Sequence, residues 1–321
     1  MANRYRTNPK YAKKYRTTNW PEYNRNLIQR GNFALLISPD VFIAWNQISH
    51  KRKQGSQRLY SDIAIEITLT FRLLFKMSLR QTQGFIMALA TLSKSSIQIP
   101  DYSTLSRRAS SLQIKTPQPR TYGKNERVTM IVDSTGIKIF GENEWCEKKH
   151  KVKGRKAWRK LNLAIDDKGT IIAHELTTNK KGDAPVASEL IDPLKTDIGD
   201  FLGDGAYDSK KLLEKLANHN EGEPPKAIIP PRKDAIPSKN GNTKRDRNIQ
   251  YIEQHGRRGW EKRLGYGIRN RVENTMYRYK TLIGRNLRSR EFNNQKTETE
   301  IGVNLMNWMT HLGMSKTVAV F

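Results

Sequence analysis

The 321-residue chain has a single cysteine, Cys146. That excludes an intrachain disulfide framework and a cysteine-based zinc site. No apolar run reaches the ~18 residues of a membrane span. The N-terminus stays polar and basic well past residue 20, unlike a secretory leader. Acidic residues are scarce: 31 Asp and Glu stand against 58 Lys and Arg, for a net charge of +27. Such an excess predicts a partner of opposite sign, most simply nucleic acid, with anionic membrane or an RNA surface as alternatives. Binding should weaken steeply with salt as counterions are released. A soluble, cytoplasmic protein without membrane partners is expected. Its 36% hydrophobic content is enough for cores, and its length suggests about two domains.

What is present changes along the chain. Residues 1–30 carry Arg4, Arg6, Lys10, Lys13, Lys14, Arg16, Arg25 and Arg30 against Glu22 alone, interleaved with Tyr5, Tyr11, Tyr15, Trp20 and Tyr23. This reads as a basic arm, disordered over residues 1–18 or ordered on DNA. GNFALLI is strand-like, and Ser38-Pro39-Asp40 opens a short helix through Trp45. Apolar helices are expected over 61–78 and 80–93, and a third begins after the N-cap Asp101. That third helix carries Ser103, Thr104, Arg107 and Arg108. Residues 31–119 therefore form a mainly helical unit, either a helix-turn-helix reader with Arg107 and Arg108 on DNA or a plain packing module. Pro117 and Pro119 mark a boundary near residue 120.

Beyond it, residues 120–314 read as an α/β domain. VTMIVDS is a strand ending in Asp133. WRKLNLAIDD and TIIAHELTT form a hairpin around Asp166-Asp167-Lys168-Gly169. A helix follows at 184–195, a short strand ends at Asp204, and a helix at 208–218 starts from Asp208 or Ser209. KAIIP is a strand, 231–262 is basic and irregular, and helices are expected at 263–283 and 296–312. This order is that of an RNase H-like mixed sheet flanked by helices.

Candidate chemistry rests on three acids and one stripe. Asp133 and Asp204 sit at strand ends, where open α/β sheets place their ligands. Each is also a plausible cap or turn former. Tyr266, Arg269, Glu273 and Lys280 have the spacing Y-x2-R-x3-E-x6-K. On one helix they fall within an arc of about 60°. Such a stripe is either a solvated face of ion pairs or a surface that holds a polyanion beside a metal ion. Carboxylates are the donors that Mg²⁺ takes, and two such ions suit in-line displacement at phosphorus. Basic runs at 148–160 and at Arg257, Arg258, Lys262, Arg263 and Arg271 are read mostly as phosphate contacts. His150, His174 and His311 have no partner pattern.

Asp133 in VDSTGIK, Asp204 in GDGAYDS and the Tyr266–Arg269–Glu273–Lys280 set together resemble a DDE transposase of a bacterial insertion sequence. The group is the one whose third acid lies in a Y-R-E-K signature. PDYSTLSRR and NWPEYNRNLIQRG resemble the N-terminal DNA-binding part of that group, so the likeness covers nearly the whole chain. The resemblance implies an RNase H-like catalytic domain and two Mg²⁺ or Mn²⁺ ions held by Asp133, Asp204 and Glu273. It implies phosphate contacts from Tyr266, Arg269 and Lys280. It also implies nicking at terminal inverted repeats and attack by the freed 3′-hydroxyls on target DNA, by a homodimer or larger synaptic complex associated with the nucleoid. A nuclease or resolvase of the same fold, and a non-catalytic DNA-binding protein, are the alternatives.

Overall fold

The structure is a computed structural model that describes residues 15–32, 39–46, 59–114, 122–123, 126–140, 158–238 and 243–320. Residues 33–37 of the GNFALLI strand, residues 1–14 of the arm, the TPQPR linker and the basic run from Lys148 to Lys156 lie outside them. The first elements are β1 (Tyr15–Thr17), α1 (Trp20–Arg30) and α2 (Pro39–Asn46). Next come α3 (Asp62–Leu74), α4 (Leu79–Leu92) and α5 (Tyr102–Ala109).

Local sequence explains the helix starts. Ser61 accepts from the Ala64 amide, and Ser78 and Gln81 form a reciprocal capping box. The Asp101 carboxylate takes the Ser103 and Thr104 amides at 2.8 and 3.1 Å. A cap of this kind stabilises a helix by about 1 kcal/mol.

The α/β part comprises β2 (Val128–Ile139), β3 (Trp158–Ile165), β4 (Ile171–Thr178), α6 (Asp183–Ile191), β5 (Ile198–Leu202), α7 (Lys210–Ala217) and β6 (Lys226–Ile228). It continues with α8 (Lys244–Leu264), α9 (Asn270–Leu282), β7 (Asn286–Leu287), α10 (Phe292–His311) and β8 (Thr317–Ala319). The main sheet runs β4-β3-β2-β5-β6, with β7 added beside the far end of β2. β3 lies antiparallel to β2 and β4, whereas β5 runs parallel to β2 and β6. This is the mixed sheet expected from the sequence.

Both faces of the sheet are covered, which is why its strands read as apolar runs rather than clean alternations. Along β2, Ile131 and Ile137 face one core with Val272 and Met276 of α9 and Ile301 and Leu305 of α10. Val128, Met130 and Val132 face the other, with Val186 and Leu190 of α6 and Leu212 of α7. Asp133 shares the parity of Ile131 and therefore points to the α9 side. Asn307 ties α10 to the edge strand, taking the Ile171 amide and giving to its carbonyl, both at 2.8 Å.

Several expectations change. Ile65, Leu69 and Leu73 of α3 and Leu105 of α5 belong to the same core as the sheet, so the apolar core runs through the boundary expected near residue 120. Residues 15–17, expected in a disordered arm, form β1 and pair antiparallel with β8. The segment 231–262, expected to be irregular, contains most of α8. A Thr243–Asp246 capping box starts that helix, and Gly256 kinks it at φ 72°. Asp208, expected as a cap, instead holds Arg245 at 3.0 Å with its side chain almost wholly buried.

Candidate active site

Asp133 lies in the middle of β2 rather than at its end: the strand runs on to Ile139, with Ser134 opposite Asn162 and Gly136 opposite Lys160. DSTG looks like a turn in isolation, but pairing with β3 keeps it extended. Strand propensity yields here to cross-strand context.

Asp204 sits two residues past β5 and caps a 3-10 turn, accepting from the Ala206 amide at 2.8 Å. Gly203 before it is required by close approach, since a Cβ there would stand 2.8 Å from the ring of buried Tyr207.

The stripe is not one helix. α8 ends at Leu264, Gly265 takes the left-handed conformation at φ 65°, and Tyr266–Arg269 form a 3-10 turn before α9 begins. Glycine adopts that φ without the strain a Cβ would bring. The break turns Tyr266 back toward the strand side, where its hydroxyl donates to the Gly203 carbonyl at 3.1 Å. The signature is thereby fastened to the segment that carries Asp204. Burial pushes the Tyr266 phenol up to about 12.

Arg269 is the centre of the site. One guanidinium nitrogen meets Asp133 Oδ2 at 2.7 Å, and another meets Glu273 Oε1 in the first turn of α9. Its Nε is buried with no partner among the described residues. Burial works against its charge, yet Asp133, Tyr266 and Glu273 together hold the guanidinium more firmly protonated than usual. At Asp133 burial raises the carboxyl pKa, Arg269 and the Ser134 amide oppose it, and Asp204 and Glu273 raise it further. Asp133 therefore feels the charge of both other acids. Even so, among the described residues no three His, Cys, Asp or Glu side chains are gathered as a ready metal cluster. A guanidinium stands between two of the acids, in a cation's position.

Lys280 lies two turns beyond Glu273. Burial, then Arg285, lowers its pKa, and it has no ion-pair partner among the described residues. Asp204, Tyr266 and Arg269 open onto a groove also lined by Arg257, Arg258 and Lys262.

A family model for the transposase DDE domain matches residues 124–308, more than half of the chain. The chain belongs to the DDE transposase family. A second model of the same description matches residues 28–142. Over 92% of this chain and 76% of the other, the structure is similar at a TM-score of 0.37 and 11% identity to a piggyBac transposase in a synaptic complex with hairpin DNA. That relation is too distant to carry residue roles.

In this transposase, Asp133, Arg269 and Glu273 are in contact. Asp204 and Tyr266 join them through charge and through Gly203. The two arginines expected on DNA in α5 part company. Arg107 is exposed, whereas Arg108 is turned inward, donating to the Tyr60 carbonyl and pairing with Asp62. Arg159 and Lys160, read with the basic run, are likewise engaged internally. Arg159 bonds Gln295 at 2.9 Å and Lys160 bonds Asp183 at 3.1 Å. Tyr207 was not singled out from the sequence. Burial raises its pKa, with Asp133, Asp183 and Asp204 adding to the effect. Its signal was Gly203, four residues before it, whose missing Cβ admits the ring against the backbone.

Proposed function

We propose that this DDE transposase binds the terminal inverted repeats of its own element and carries out metal-dependent cleavage and strand transfer, as a member of the insertion-sequence group with the Y-R-E-K signature. The observation that carries the reading is Arg269, clamped between Asp133 and Glu273. A cation already bridges acids from a strand and a helix 140 positions apart in the chain. Such an arrangement suits a site built to hold positive charge against phosphate.

The donor set is three carboxylates, the hard oxygen ligands of Mg²⁺ or Mn²⁺. Asp133, Asp204 and Glu273 would hold two such ions. When bound, they activate the attacking oxygen and stabilise the leaving oxygen of an in-line displacement at phosphorus. The protein's own residues do the rest. A DNA phosphate draws the Arg269 guanidinium away from the carboxylates, since its free donors match phosphate geometry. Lys280, which has no acidic partner among the described residues, takes a second phosphate. Tyr266 stays on the Gly203 carbonyl and fixes the spacing between the Asp204 segment and α9. Arg257, Arg258 and Lys262 carry the backbone along the groove.

Residues 31–119 serve as the DNA-reading unit, with exposed Arg107 on α5 and Arg80 stacked over the Tyr102 ring at 4.4 Å. Residues 1–30 act as its arm, and 120–314 as the catalytic part. One active site per transposon end requires a dimer or larger assembly. No helix among the described residues is long and apolar enough to cross a membrane, and DNA in the nucleoid is the expected location.

The test is cleavage of end DNA with Mg²⁺ or Mn²⁺, followed by a search for 3′-hydroxyl joining products. Full activity in Asp133→Ala, Asp204→Ala and Glu273→Ala would end the assignment. Cleavage without joining would reduce it to a nuclease.

A further inference from the structure

The signature helix α9 has a second charged face. Arg271 and Arg278 are seven residues apart and so lie on one side of the helix. Each stands two residues from Glu273 or Lys280, a rotation of about 200°. The active-site stripe and this pair therefore look in opposite directions.

On that far side a second groove runs between the β3–β4 turn, the start of α9, the end of α10 and the C-terminal segment. It is lined by Lys168, Arg271, His311 and Lys316, with Asp167 as the one carboxylate among its lining residues. Lys168, Arg271 and Lys316 are exposed. None of the three has an ion-pair partner among the described residues.

Two further arginines sit at its edge. Arg278 donates to the Thr310 hydroxyl at 3.3 Å. Arg30 of α1 donates to the Gly313 carbonyl at 2.7 Å and packs on the Tyr23 ring. Neither meets a carboxylate among the described residues, and the Arg30 Nε is buried without a partner. Burial lowers the Arg278 pKa, and the charge of Arg30 lowers it further. Like charges held together without an acid lack the counter-charge that ordinarily accompanies buried ions.

The groove is also held in shape. β1 pairs with β8, and Asn19 bonds the Met314 carbonyl at 3.1 Å and the Lys316 amide at 2.7 Å. These contacts fasten α1 across the C-terminal segment, so the arginine of one end of the chain is fixed against the groove made by the other.

We infer that this groove is a second DNA-backbone surface, on the side of α9 opposite the candidate active site, and that it takes a stretch of duplex distinct from the one being cut. The ligand is phosphodiester: lysines and arginines that outnumber the single lining acid, Asp167, and are spread along a channel, position a backbone without reading its sequence. The inference rests on the transposase reading for its partner, but not on the catalytic assignment.

The experiment measures binding of a mixed-sequence 30-bp duplex to the full chain in metal-free buffer, as a function of salt. The groove variant combines Lys168→Glu, Arg271→Glu and Lys316→Glu. A control with the same net charge combines Lys195→Glu, Lys211→Glu and Lys226→Glu, all exposed. A glutamine version of the groove variant guards against effects of introduced acid.

Each lost phosphate contact lowers the slope of log K against log salt by about 0.9. The groove variants should lose a slope of roughly 2 to 3, with the control unchanged. Equal loss in groove and control variants, or no loss in either, overturns the proposal. Absence of metal-dependent cleavage in the parent chain would sink the catalytic reading and leave this result standing.

Discussion

Asp133 on β2 and Asp166 in the β3–β4 turn belong to the same sheet, yet their environments differ. Asp166 is fully buried, and its oxygens take the Lys168 and Thr170 amides at 2.9 and 2.8 Å and the Tyr122 hydroxyl at 3.2 Å. The two amides belong to the turn itself and cannot leave without unfolding it. Asp133 takes one backbone amide, from Ser134, and one guanidinium that arrives from 136 residues away. A side chain can swing off; a peptide amide cannot. The comparison separates an acid that holds the fold from an acid kept in reserve for another cation.

The largest effect expected from breaking this contrast is on chemistry. Asp133→Ala should reduce end cleavage by roughly 10³-fold or more, the scale of several kcal/mol of transition-state stabilisation, while thermal unfolding changes little. Asp166→Ala should do the reverse. It leaves the buried Thr170 amide and the partly buried Lys168 amide without their acceptor, costing about 3 kcal/mol, visible as a fall in Tm. Cleavage by the protein still folded should persist.

Smaller effects sharpen it. Asp101→Ala removes a helix cap and should cost about 1 kcal/mol. The Ser103 and Thr104 hydroxyls hold the Asp101 carboxyl well below the usual carboxylate range. Its contribution is therefore present above the unfolded value of about 4 and lost as pH falls below it. Denaturant melts of the variant should lack that acid-side loss. Smallest of all, Lys280→Ala should leave stability unchanged and lower the salt slope of end binding by about 1, measured by titration at several salt concentrations.

The sequence was legible where local chemistry decides. The cap at Asp101 and the turn at Asp166 stand where their residue types imply, whereas Ser61 and Ser78, read as helical, cap the helices that follow them. Strands β3 to β6 and the first half of β2 also stand where expected, but β7 was not read from the sequence. It misled where tertiary context overrides. DSTG is extended only because β3 pairs along it. The signature was expected on one helix, but Gly265 breaks it and sends Tyr266 to Gly203. Arg108, Arg159 and Lys160 read as surface charge, and each is engaged by a partner 21 or more residues away. Charge counts predict a polyanion but do not say which cations are already committed. The Tyr266–Glu273 segment was legible as a candidate site, and only the fold showed that Arg269 lies between Glu273 and Asp133.

The central claim is that Arg269 stands in for a cation the acids are built to receive. The most direct measurement is Mn²⁺ binding to the DNA-free protein, wild type against Arg269→Ala, by calorimetry or electron paramagnetic resonance. Removing the guanidinium frees Asp133 and Glu273, so the variant should bind Mn²⁺ about tenfold more tightly, a difference of about 1.4 kcal/mol. Adding end duplex should narrow the gap by tightening the wild type. Unchanged or weaker Mn²⁺ binding in Arg269→Ala would contradict the account.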